Sequence, residues 1–202
     1  MYRLKVYFHV AIADNGDRQS EVVVNNSFEI INNLYNQHNI YFEWDCNVIE
    51  HYNDDWANNM LLLNGNNVKD EFHEDGIDIL LLPDNAEFKA LSFGFIGGGS
   101  AVYVSGVSPN GIPLAASNAI SHEIGHVLNL FHTFHNCGTS PENPDGSECN
   151  IKGDRLCDTN PDPGMNYSVN EICEWIDTTG AECQDEFELS LYNMVSLLVV
   201  TE

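Results

Sequence analysis

Ser121 to Phe134, SHEIGHVLNLFHTF, places three histidines and a glutamate at spacings that few folds can use. His122 and His126 are four apart, so on a helix they share one face, a turn above one another. Neutral imidazoles so placed can each bring a ring nitrogen to about 2.0–2.1 Å from a zinc ion. Glu123 lies between them, near enough to take a proton from a water at the metal without being a ligand. His132 follows six residues after His126. In one straight helix that step turns roughly 240° about the axis, well off the face of the first two. The chain must therefore leave the helix near Asn129, a residue type that tolerates the left-handed backbone such a turn needs. An ordinary buried helix would also show Ile124, Val127, Leu128 and Leu130 as core residues; the third histidine at this spacing separates the two readings. Three imidazoles on one Zn²⁺ leave a position for water, the arrangement of a catalytic site rather than a structural one.

His122, Glu123, His126 and His132 match the metzincin pattern HExxHxxGxxH, with Asn129 at the usual glycine. The longer string HEIGHVLNLFHTF, followed by Cys137 and by GDRLCDT (Gly153 to Thr159), resembles the pappalysin family, in its cytophagalysin and ulilysin-like branch. That resemblance implies a metzincin-like zincin fold, zinc endopeptidase activity with Glu123 as general base, and calcium in some members.

At 202 residues the chain suits one catalytic domain, large enough to bury roughly 70% of its unfolded surface. No apolar run reaches the 18 or so residues of a membrane helix. A net charge of −24, with seven Lys and Arg, excludes general nucleic-acid binding and disfavours anionic membranes. It leaves protein or peptide substrates as partners, of a chain expected to be a monomer. Six cysteines, at 46, 137, 149, 157, 173 and 183, show no CxxC pair, so disulfides and an oxidising, secreted setting are expected over a thiolate metal site. Their 15 possible pairings stay open, with Cys46 the one expected to be free or to bridge a long way. Alternation of Val6, Phe8, Val10 and Ile12 makes the first residues a strand, so an export signal is expected outside this chain.

Along the chain, residues 3–12 read as a strand and Asp14 to Asp17 as a turn around Gly16. Val24, Phe28, Ile31, Leu34 and Tyr35 recur at helical steps and predict a helix over 21–38. Ile40 to Ile49 reads as a second strand, Trp56 to Leu63 as a short helix, and Ile77 to Leu82, closed by Pro83, as a buried central strand. This order predicts an α+β (mixed α/β) fold: a twisted mixed sheet with one backing helix and, past Pro113, a zinc helix over Leu114 to Leu130. Gly97 to Gly99 lack the lysine and helix of a phosphate loop and read as a hairpin into an edge strand, Ala101 to Ser105. An open edge can hold an extended peptide by strand addition. The resemblance implies the same role, with Ala101, Val102, Tyr103 and Val104 as the substrate-binding edge strand.

Subdomains are expected at about 1–130 and 131–202, the second loop-rich and disulfide-containing. Asp154, Asp158, Thr159 and Asp162 bring oxygen ligands densely enough for Ca²⁺, and in the family the matching GDxxxDT segment binds calcium. The competing reading is a turn-rich loop whose aspartates cap turns, pinned by Cys149 and Cys157. Metzincins also place a methionine beneath the zinc; Met194, in LYNMVS, is the candidate for this Met-turn. Family members usually read Asn-x-Met-Ser-Tyr there, whereas Asn193 here directly precedes Met194 and no Tyr follows. Little sequence follows Met194, so a shortened C-terminal half is expected. The alternative to a secreted zinc endopeptidase is an inactive pappalysin-like domain kept for binding or adhesion.

Overall fold

The computed structural model describes residues 1–58, 73–83, 89–93, 100–106, 113, 115, 117–132, 143 and 145–159. Contacts divide the chain after Asn129: Met1–Asn129 with Val200–Glu202 form one unit, and Leu130–Val199 the other. Asp162, Met194, the glycines at 97–99, Leu114 and the Leu63 end of the expected short helix lie outside the described residues.

Strand β1 (Tyr2–Ile12) buries Val6, Phe8, Val10 and Ile12 on one face, as its alternation requires. After a turn in which Gly16 adopts φ 88°, Ser20 caps helix α1 (Glu21–Tyr35) by accepting from the Val23 N–H at 3.3 Å. Val24, Ser27, Ile31 and Tyr35 form its buried stripe. The expected helix to residue 38 ends instead in a 3₁₀ turn, Asn36–His38, stopped by left-handed Asn39 at φ 61°.

The single strand expected over 40–49 is two, β2 (Ile40–Glu43) and β3 (Val48–Tyr52). Between them Cys46 takes φ 64°, and Asp45 accepts from the Asn47 N–H at 3.0 Å, a local turn that breaks the ladder. Helix α2 (Asp54–Asn58) precedes β4 (Gly76–Leu81), the apolar strand expected at the centre. Strand β5 (Lys89–Phe93), β6 (Ser100–Ser105) and helix α3 (Ala119–Val127) follow. The helix expected over Leu114 to Leu130 is thus described from Ala119 to Val127.

Six strands form one mixed, mostly parallel sheet in the order β2-β1-β4-β6-β5, with β3 also on β1. β1 pairs β2 through Tyr2–Lys5 and β3 through Phe8–Ile12, so both flank it end to end. The expectation that Ala101 to Val104 form an edge is corrected here. β6 lies inside the sheet, parallel to β4 on one side and antiparallel to β5 on the other. Its continuous apolar run, Ala101 to Val104 all buried, is what a strand flanked on both sides carries.

One sheet face, with Phe8, Ile79, Leu81, Val102 and Val104, packs on α1 and α3 through Ile31, Ile120 and Ile124. Full burial of each such side chain is worth about 1.5–3 kcal/mol before entropy is counted. The opposite face carries a smaller cluster, Ala11, Leu80, Leu82 and Tyr103, with Ala57 and Trp56 of α2 against it.

Candidate metal centre

Helix α3 is fixed by its apolar side. Ile120, Ile124 and Val127 are buried in the larger core, and the Tyr35 hydroxyl of α1 donates to the Ser121 carbonyl at 2.8 Å. The Ser27 hydroxyl likewise donates to the Ala115 carbonyl just upstream. With that side committed, His122 and His126 emerge half-buried on the adjoining one. Their rings stand 4.7 Å apart at 86°, and their Nε2 atoms are 3.1 Å apart. The four-residue spacing has this geometric consequence because α3 runs unbroken from Ala119 to Val127.

The helix ends at Val127, short of the expected Leu130, and the chain leaves it through Asn129 as expected. Leu128 N–H still reaches the Ile124 carbonyl at 2.9 Å, but Asn129 N–H turns to His126 O at 2.9 Å with φ 69°. One ring nitrogen each of His122, His126 and His132 lies within 4.8 Å of the others. Three imidazoles are a donor set that suits zinc. Among the described cysteines, Cys149 and Cys157 are joined to each other, with Cα atoms 5.0 Å apart, and Cys46 is exposed. Neither the pair nor Cys46 supplies a thiolate to this group.

Glu123 is 8% exposed. Burial pushes its carboxyl pKa up; the Ser92 hydroxyl of β5, hydrogen-bonded to it, and the neighbouring His126 pull it back down. Ser92 was not singled out from sequence, since nothing local marks a strand serine as the partner of a glutamate 31 residues on.

In the second unit, Asp154 is buried and its carboxylate caps a turn. Oδ1 accepts from the Leu156 N–H at 2.9 Å and Oδ2 from the Thr159 hydroxyl at 2.8 Å. Asp158 is exposed, and the Cys149–Cys157 bridge closes the loop. These contacts are those of the turn-capping reading of the segment, and no group of three or more metal-type donors among the described residues includes Asp154. One further group of metal-type donors stands among the described residues, His9, His73 and Asp78. Its local signals are a histidine inside VYFHVAI and an aspartate inside IDILLL, each a polar interruption of a buried strand.

No protein-family model matches the chain, and no curated protein matches it. Among solved structures, one titled "Structure of a chaperone-substrate complex" aligns with a TM-score of 0.43 at 14% identity. The match covers 99% of this chain and 35% of that one, and a likeness so slight carries no argument about fold or function.

Proposed function

We propose that this chain is a secreted, zinc-dependent endopeptidase of metzincin type, similar in its motifs to the pappalysins. The observation that carries the reading is the convergence of His122, His126 and His132 beside buried Glu123. His122, His126 and His132 would hold the ion. When bound, Zn²⁺ supplies Lewis acidity to a peptide carbonyl and makes a water more acidic.

The chain's own residues supply the rest. Glu123 accepts a proton at its carboxylate and returns it to the leaving amine. Its raised proton affinity, from burial, suits that exchange, while the Ser92 hydroxyl fixes the carboxylate's orientation. The substrate-strand role passes from Ala101–Val104 to β5, which ends the sheet order among the described residues and runs antiparallel to β6. A strand at that position can add an extended peptide by main-chain pairing. The Cys149–Cys157 bridge supports an oxidising, extracellular setting.

A casein digest with and without 1,10-phenanthroline tests the proposal. Cleavage is expected, abolished by the chelator and restored by Zn²⁺. Glu123→Ala should keep its zinc yet cleave at least about 10²–10⁴-fold more slowly. Chelator-resistant cleavage, or an undiminished Glu123→Ala, would refute it. A protein that binds zinc and cleaves nothing would favour the binding-module alternative.

A further inference from the structure

We propose that His9, His73 and Asp78 form a second site for one divalent transition-metal ion of the zinc class, with His51 holding His9 in place. The site is built on the sheet face turned away from α3. Tyr7 pairs with Asp78 and His9 with Leu80 across β1 and β4, so the His9 and Asp78 side chains are diagonal neighbours on one face. Both are buried, with side chains 1% and 0% exposed.

A carboxylate taken wholly out of water costs several kcal/mol unless a cation or good hydrogen bonds compensate it. The groups turned on Asp78 are the donor types zinc selects. His9 Nε2 and His73 Nδ1 each stand 2.7 Å from Oδ1, while the His73 backbone N–H donates to Oδ2 at 2.8 Å. The three ligand atoms lie within 4.8 Å of one another. Two imidazoles with one carboxylate, leaving an open position, is a recurrent catalytic-type set for zinc and iron.

The outer contacts are those of a prepared site. His9 Nδ1 meets His51 Nε2 at 2.8 Å, which fixes the His9 ring, and His51 packs against Trp56 with ring centroids 4.9 Å apart. The His73 ring stacks on Tyr7 at 3.5 Å and 6°. Tetrahedral ligands about 2.0–2.1 Å from an ion stand roughly 3.3 Å apart, so the contacts at Asp78 must open by about half an ångström on loading. His73, with 33% of its side chain exposed, offers both that movement and an entry route. Binding requires each ligating nitrogen to present its lone pair to the ion.

The test is metal counting on the full chain, stripped with chelator, dialysed and titrated with Co²⁺, following its visible absorption and the bound metal by mass spectrometry. Wild type should take two ions; His73→Ala should take one, and His126→Ala, which damages the other centre, should also take one. Asp78→Asn, nearly isosteric, repeats the His73 test should His73→Ala not fold. Two ions retained by either variant of the second site would overturn the inference, as would a single wild-type ion lost in His126→Ala. A single ion lost instead in His73→Ala would uphold this site while removing the basis of the protease reading.

Discussion

Asn129 is the residue on which the ligand set turns, and its replacement by valine gives a quantitative expectation. The backbone there has φ 69°, and its N–H is tied to the His126 carbonyl at 2.9 Å. A left-handed backbone costs an L-residue roughly 1–2 kcal/mol, with asparagine among the least affected and a β-branched side chain among the most. Asn129→Val therefore loads about 1–2 kcal/mol onto the conformation that brings His132 back to His122 and His126. If the metal-free protein keeps the turn, the cost appears as reduced stability. If it abandons the turn, the cost falls on zinc, weakening binding between about 5-fold and 30-fold. Urea unfolding of the stripped protein, together with zinc competition against a chromophoric chelator, measures both shares. Asn129→Gly, which adopts the same φ without strain, should stay within about 1 kcal/mol of wild type. A valine variant unchanged in both measurements would refute the role given to this turn.

Other expectations are narrower. Tyr35→Phe removes the hydroxyl donated to the Ser121 carbonyl at 2.8 Å and should cost about 0.5–1.5 kcal/mol in urea unfolding, with Ile31 and its neighbours still packed. Asp154→Ala leaves the Leu156 N–H without its acceptor, while the Thr159 hydroxyl keeps the Leu156 carbonyl at 2.9 Å, and should lower stability by about 1–3 kcal/mol equally in EGTA and in calcium. A loss seen only with calcium present would move Asp154 to a ligand role. Burial raises the pKa of Tyr35, and of Tyr103 with added repulsion from Asp78. A phenol whose pKa is raised by folding contributes stability that is intact below its unfolded value, near 10, and is lost as the pH climbs above it. The unfolding free energy should therefore fall from about pH 10 upward, by up to about 1.4 kcal/mol per pH unit for each tyrosine, and less steeply in Tyr103→Phe. An equally steep fall in that variant would show that Tyr103 is not among the titrating groups.

Features written in local spacing were legible from the sequence. The three- and four-residue steps from Val24 to Tyr35 became α1, and the Ile77 to Leu82 run, apolar but for Asp78, became the interior strand β4. The left-handed exit at Asn129 follows from the angle between His126 and His132, once both are taken as ligands of one ion, and from asparagine's tolerance of that backbone. What failed was non-local. An apolar stretch such as Ala101 to Val104 signals burial but not which strand lies beside it, so nothing local separates an interior β6 from an edge or marks β5 as its neighbour. A turn within a β-branched run hides for the same reason: Asp45 and Asn47 close it by side-chain bonds that composition does not reveal. His9 and Asp78 lie 69 residues apart and meet only because β1 and β4 are neighbours.

The most direct measurement of the central claim is zinc K-edge X-ray absorption on the His73→Ala protein loaded with one equivalent of Zn²⁺, which isolates the helix α3 centre. Three imidazole nitrogens at about 2.0–2.1 Å and one further oxygen ligand are predicted. Sulfur scattering at about 2.3 Å, or a spectrum unchanged by His132→Ala, would contradict it.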